Sequence, residues 1–379
     1  MKTALRSLAQ GEADSVLRGR LEATRVDIRG SGTCMAIARR PVAVFNFSNA
    51  WMRRTILAAA PSMFEVRFID DPRDPAELDR LLPVADFLVT IALPADWGAR
   101  LKRCQLVQLQ GVGSDAVDLR ALREARVPLA ITPEGTTVGV AEHTIMLILA
   151  LNKRLAEVHD SVVGGGFDSL RWREMCHTFS GSTLGLIGFG RIGQRVALLA
   201  RAFGARVIYH DIERMPFDVD SEFDTEYRPF DQLLAEADVV SVHTPLNRDT
   251  ELLFGAREFG LMKPGSLFIN TSRGGTYDMD ALADAIRSGQ VRGAGLDVFN
   301  PQPPPADHPL LKLKSVLCTP HMAAGTVESH TEKARSQFAN FERVIRGEKP
   351  VNLLFEGDWA IRADRAAVMS ASWETVPMN

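Results

Sequence analysis

The sequence predicts an α/β protein of two doubly wound domains, and three observations carry that prediction. The chain has 379 residues, more than one ordinary hydrophobic core organises. Strand-like and helix-like segments alternate along most of its length, the pattern of parallel βαβ units. A glycine-rich turn from Gly188 to Gly193 joins a strand to a helix in the second half. The composition, 46% hydrophobic and 24% charged, is that of a globular chain. A formal net charge of -3 gives no electrostatic basis for binding nucleic acid or an anionic membrane.

The first series opens with the strand Arg40–Phe45. Phe64–Ile69, Asp86–Thr90 and Leu106–Leu109 read as further strands, with a helical segment over Asp74–Leu82. The last strand runs into a glycine turn, Gly111-Val112-Gly113-Ser114-Asp115. A long helix is predicted from Val140 to about Val158, with Glu142 in its first turn and Lys153 and Arg154 late. It is apolar on nearly all sides, which predicts burial, either in a core or between two domains or subunits. A second series starts at Thr183, with strands Leu184–Ile187, Val207–Tyr209, Val239–Val242, Ser266–Asn270 and Gly293–Val298. A last helix spans about Thr326–Arg346 and stops at Gly347.

Residues 1–40 read as an N-terminal extension. Met35 stands just before the first strand, so translation starting there, a mobile arm and a docked extra segment are the readings for residues 1–34. Residues 355–379 read as a C-terminal tail. Cys34, Cys104, Cys176 and Cys318 show no CxxC spacing and are expected to be reduced thiols of a cytoplasmic protein. Eight histidines without a ligand spacing predict no metal site. The longest apolar stretch, Thr144–Leu151, is too short to span a bilayer, and no secretory signal is recognisable.

Gly188-Phe189-Gly190-Arg191-Ile192-Gly193 follows the strand Leu184–Ile187 and opens a helix, Gln194–Phe203. In that context the turn predicts a dinucleotide site of the Rossmann type. Gly188 permits the tight turn, Gly190 lets a pyrophosphate approach the backbone, and Gly193 lets helix and strand pack closely. The N–H groups of the helix start, Arg191 and Ile192 included, face the phosphates. The next strand ends in Asp211, which suits the ribose hydroxyls of NAD and repels the 2′-phosphate of NADP. Arg214, three residues on, weakens that preference.

Asn270-Thr271-Ser272-Arg273-Gly274-Gly275 stands at the carboxyl end of a strand, where open α/β sheets place ligands. An arginine there can hold a carboxylate through two parallel hydrogen bonds and polarise a neighbouring carbonyl. Gly295-Leu296-Asp297-Val298-Phe299 and Thr319-Pro320-His321 follow, again at strand ends, and a histidine beside a cofactor is a natural acid or base.

Together with Val140-Ala141-Glu142-His143-Thr144 and His243-Thr244-Pro245-Leu246, these motifs resemble the D-isomer-specific 2-hydroxyacid dehydrogenases, a family that includes NAD-dependent formate dehydrogenases. The resemblance spans roughly residues 41–354. It implies a discontinuous, flavodoxin-like substrate-binding domain, residues 41–140 and 326–354, with an NAD-binding Rossmann domain, residues 141–325, inserted in it. It implies that Arg273 binds the carboxylate and carbonyl of the substrate, that His321 exchanges the proton, and that backbone N–H groups of Val112 and Gly113 hold the carboxylate from the other domain. Thr244, Pro245, Thr271, Ser272 and Arg273 would line the cofactor beside His321, and Asp297 would meet the nicotinamide carboxamide. A homodimer through the cofactor domain is also implied.

One departure bears on mechanism. Where most such enzymes carry a glutamate that pairs with the histidine, the segment Asn300-Pro301-Gln302-Pro303 places Gln302. Gln302, Asp307-His308-Pro309 and Gly113-Ser114-Asp115 resemble the formate dehydrogenases; Thr136, where those carry a formate-binding asparagine, does not. Interconversion of a D-2-hydroxy acid and a 2-oxo acid is therefore the first reading, formate oxidation the second, and an NAD-binding interaction protein without turnover the third.

Overall fold

The structure is a computed structural model and describes residues 39–355. The expectations for residues 1–38 and 356–379 lie outside the described residues. Two sheets organise the chain. The first contains strands β1 (Val42–Phe45), β2 (Glu65–Phe68), β3 (Phe87–Thr90), β4 (Leu106–Leu109), β5 (Leu129–Ala130) and β13 (Leu353–Phe355). Its order is β13-β5-β4-β3-β1-β2, parallel except for antiparallel β13. The second contains β6 (Thr183–Ile187), β7 (Arg206–His210), β8 (Thr225–Tyr227), β9 (Val239–Val242), β10 (Ser266–Asn270), β11 (Val291–Leu296) and β12 (Val316–Cys318), in the order β12-β11-β10-β9-β6-β7-β8.

Each order reverses once, between β1 and β3 in the first sheet and between β6 and β9 in the second. Reversal splays the connecting loops apart and opens a crevice at the carboxyl ends, so each sheet is doubly wound with one natural ligand site. The five parallel strands of the first sheet have the flavodoxin order, β2-β1-β3-β4-β5. Every residue of β1, β3, β4 and β9 is buried, as strands covered by helices on both faces must be. One face of the first sheet carries Val44, Leu88 and Val107. The other meets Phe338 and Phe341 of the helix Val327–Ile345, with Phe87 and Phe341 stacked at 4.4 Å. That helix brings the chain back to the first sheet after the second is complete. Thr326 caps its start by accepting from the Ser329 N–H at 3.1 Å, and Gly347, φ +73°, follows its end.

The helix predicted over Val140–Val158 is in fact two. Thr136–Asn152 packs on β10, β11 and the helix Arg191–Ala202, and Leu155–Val163 follows it. Arg154 breaks the run in the left-handed region, φ +49°. Two inward polar anchors accompany the break: Asn152 accepts from the Arg292 guanidinium, and Arg154 reaches forward to Glu157 at 2.8 Å. Burial is also one-sided rather than complete, since Val138, Met146, Leu155, Val162 and Val163 are exposed.

Among the described residues no helix is long and apolar enough to cross a membrane, and no group of three potential metal ligands assembles. Cys104, Cys176 and Cys318 are free thiols, and Cys34 lies outside the described residues.

Candidate active site

The glycines of the Gly188–Gly193 turn do three separable things. Gly188 adopts φ +94°, and a Cβ there would lie 2.9 Å from the His243 backbone, at the crevice between β6 and β9. A Cβ at Gly193 would collide with the Gly188 carbonyl oxygen, so helix and turn touch there. Gly190 has nothing within 4 Å on its Cβ side: its space is left to a ligand. Arg191 is exposed at the helix start and its guanidinium reaches Asn352 at 3.5 Å, while Ile192 is half-buried.

Asp211, at the end of β7, accepts from the Phe189 N–H at 2.7 Å and the Ile212 N–H at 2.8 Å. It thereby fixes the glycine turn while its half-exposed carboxylate keeps acceptor capacity for hydroxyls. Arg214, which could have welcomed NADP, instead reaches Asp220 at 3.6 Å and lies 6.0 Å from the Tyr227 ring. Across the crevice, Pro245 is exposed and the buried hydroxyl of Thr244 has no hydrogen-bond partner. An orphan hydroxyl beside an open glycine cradle is what a bound dinucleotide would complete. The residues present fit NAD.

Asn270 builds the turn that carries Arg273. Its side-chain oxygen accepts from the Ser272 N–H at 2.9 Å and the Ser272 hydroxyl at 2.8 Å, and its amide donates to Thr276 at 2.9 Å. The Thr271 hydroxyl lies 3.0 Å from that of Thr144, locking the turn to the helix Thr136–Asn152. Arg273 then projects across to the first lobe. Its Nε donates to Asp115 at 2.8 Å, and a side chain at Gly113 would collide with its guanidinium. A side chain at position 113 would therefore displace the Arg273 guanidinium from where it rests on the first lobe. Burial works against the Asp115 carboxylate, but the guanidinium bonded to it outweighs this and holds its pKa below the usual range. Val112 beside it is exposed.

His321 sits on a turn held by one buried carboxylate. Asp297, 0% exposed, accepts from the Thr319 hydroxyl at 2.6 Å, the Met322 N–H at 2.9 Å and the Ala323 N–H at 2.8 Å, and its carbonyl accepts from the His321 N–H at 2.8 Å. His143 joins this group at 2.9 Å from the Thr319 hydroxyl. The backbone of His321 is left-handed, φ +53°, a conformation that costs free energy outside glycine and that these bonds impose. Its Nδ1 faces the Gln302 amide, 2.9 Å from Nε2 and 3.2 Å from Oε1. Burial lowers the His321 pKa and the Arg273 charge lowers it further, against an opposite pull from Asp297 and Asp115.

Arg273, Gln302, His321, Val112 and Gly113 thus converge where the lobes meet, while Gly188–Gly193, Asp211, Thr244 and Pro245 line the neighbouring crevice. Three contributors were not assigned from sequence: Asp115 as the partner of Arg273, and His143 and Thr319 as supports of the His321 turn. All three lie in motifs singled out above, but their contacts cross between segments far apart in the chain, which no local pattern reveals.

Residues 145–323 match the D-isomer specific 2-hydroxyacid dehydrogenase, NAD binding domain. The glyoxylate reductase of Aeropyrum pernix is 36% identical over 272 residues, 70% of this chain and 81% of that protein. The hydroxypyruvate reductase of Thermotoga maritima is 35% identical over 260 residues, 67% of this chain and 82% of that one. Among solved structures, the formate dehydrogenase of Granulicella m. superposes with a TM-score of 0.71 at 28% identity, covering 78% of this chain and 81% of that one. The chain belongs to the D-isomer-specific 2-hydroxyacid dehydrogenase family and is an NAD-dependent oxidoreductase.

Proposed function

We propose that this protein reduces a 2-oxo acid to the 2-hydroxy acid, and runs the reverse oxidation, at the junction of Arg273 and His321. The observation that carries the reading is that junction itself: a guanidinium held by Asp115 against the Gly113 backbone, in one site with an imidazole oriented by Gln302. NADH held by Gly188–Gly193 and Asp211 would supply the hydride that the carbonyl carbon takes up. Arg273 binds the substrate carboxylate and polarises the carbonyl oxygen, with the N–H groups of Val112 and Gly113 completing the cradle. His321 gives a proton to that oxygen during reduction and takes it back during oxidation. Asp297, which supports the turn, would be the acceptor for the cofactor's carboxamide, and Thr271 and Ser272 would line the pocket. Val112 and Gly113 come from the first lobe, whereas Arg273, His321 and the cofactor residues come from the second.

The exposed apolar side chains Met146, Leu155, Val162, Val163, Phe167 and Leu170 support a homodimer formed through the second lobe.

Formate oxidation is the second reading, favoured by Gln302 and by the Granulicella m. likeness. Thr136 opposes it. Its side chain is buried and its hydroxyl lies 3.4 Å from the Thr132 carbonyl, a contact within the first lobe. The separating experiment is a turnover screen with NADH and NADPH against 2-oxo acids, with formate plus NAD in parallel. NADH-driven reduction should exceed the NADPH rate by more than about tenfold in kcat/KM. Arg273→Ala should abolish it to within about one thousandth of the parent. Activity with formate alone would establish the second reading instead.

A further inference from the structure

The helix Val327–Ile345 carries a buried polar strip, Ser329, Lys333, Gln337 and Asn340, along the side that meets the ends of β4 and β5. Most of it is satisfied. Asn340 donates to Gln108 at 2.9 Å and to the Val351 carbonyl at 3.0 Å; Gln337 donates to Gln110 at 2.8 Å. Two groups are not. The buried Oε1 of Gln337 has no partner, and Lys333, 4% exposed, has no carboxylate paired with it among the described residues. Burying most of a lysine side chain without a counter-ion is costly, and an anion bound beside it would relieve that cost.

His330 stands one turn earlier on the same helix. It lies 3.3 Å from the Gln110 amide and packs edge-on against Trp51 at 5.2 Å. Gln110 is followed directly by Gly111–Gly113, the loop on which Arg273 rests. Three residues of chain span at most about 11 Å, so the His330 contact on Gln110 and the Arg273 contact on Gly113 lie on one short segment of the first lobe.

We infer that His330 and Lys333 form the subsite for a second anionic group, so that the substrates of the site proposed above are dianionic 2-oxo acids. The inference rests on that proposed reading and specifies the chemistry of the substituent on the 2-oxo acid. One anionic end is bound by Arg273; the other, a carboxylate or a phosphate, is bound by His330 and Lys333. Burial holds the Lys333 pKa down to about 8; burial first and the Lys333 charge second lower that of His330, and a bound anion would raise both.

The test compares kcat/KM with NADH for monoanionic 2-oxo acids (glyoxylate, pyruvate, 2-oxobutyrate) and for dianionic ones. Oxaloacetate and 2-oxoglutarate probe a carboxylate, and phosphohydroxypyruvate probes a phosphate. At least one dianion should exceed the monoanion of matching length by about tenfold or more, and Lys333→Met should lower that ratio by about tenfold, with Lys333→Arg retaining most of it. Binding of malate or 2-hydroxyglutarate to the NADH complex, read by calorimetry, should weaken in step. Dianions no better than monoanions in the parent protein would overturn the inference, as would an unchanged ratio in a folded Lys333→Met variant. Should Lys333→Met not fold, His330→Gln and the parent's own ratio decide. Reduction of monoanions alone would sink this subsite and leave the 2-oxo acid reading standing; no reduction of any 2-oxo acid would remove the reading beneath it.

Discussion

Gln302 is the residue that sets the chemistry of this site apart from one built on a carboxylate. An amide presents an acceptor to protonated Nδ1 and a donor to the bare nitrogen, so it orients His321 in either state without favouring the charge. Burial and Arg273 meanwhile depress the imidazole. Reduction needs imidazolium, so its rate should fall as pH rises through a value below the ordinary 6.5, and oxidation should rise over the same range. Gln302→Glu supplies a negative partner, which raises the pKa and should move the reductive limb upward by about one pH unit. A pH–rate profile of both proteins, with chemistry limiting, checks this; a limb that does not move means residue 302 does not govern His321. Residue 302 was legible in the sequence because it stands three positions beyond the Asp-Val-Phe motif. Asp115 was legible only as a loop residue, since its bond to Arg273 spans 158 positions.

At the scale of elements, local chemistry predicts well where a turn or cap dictates it and poorly where pairing does. The strand β4 and the helix Val327–Ile345 fall almost where glycine stops, caps and apolar runs put them. β5, with two residues, and β8, with three, carry too little sequence to show a period and exist because neighbouring strands pair with them. The helix Ala50–Ala59 escaped notice, although Asn49 caps it by accepting from Trp51 and Met52 N–H groups. The tight turn at Gly188 and the close packing at Gly193 answer backbone demands that the motif signals, and the roles of Gly193 and Gly190 separate experimentally. Gly193→Ala should lower Tm by roughly 5 °C, since the new methyl meets the Gly188 carbonyl. Gly190→Ala should leave Tm within about 1 °C yet weaken NADH binding by more than about tenfold, because the space beside it is open and a methyl there would keep the pyrophosphate from the backbone. Thermal melts beside NADH titrations check both. A Gly190→Ala protein that binds NADH like the parent would contradict the cradle.

At the scale of the molecule, the alternating pattern and chain length yielded two doubly wound α/β domains, whereas the return of the final helix to the first sheet was implied only by the family resemblance. The break at Arg154 was not visible, because an apolar run reads the same whether it is one buried helix or two with an exposed face. That face carries Val163 at 74% and Phe167 at 92% exposure, more than isolated surface hydrophobics explain. Light scattering should give a dimer for the parent and a monomer for the double variant Val163→Glu, Phe167→Glu; a monomeric parent at micromolar concentration would exclude the interface. The claim on which the rest depends is that the two lobes, joined through Arg273 and Gly113, bring a 2-oxo acid to the cofactor crevice beside His321. Its most direct test follows a labelled hydride: NADH deuterated at C4 is incubated with the 2-oxo acids of the screen, and the product is analysed by NMR. Deuterium at C2 of the hydroxy acid, lost with Arg273→Ala, is the predicted result. No deuterium in any product, with NADH formed instead from NAD and formate, would contradict it.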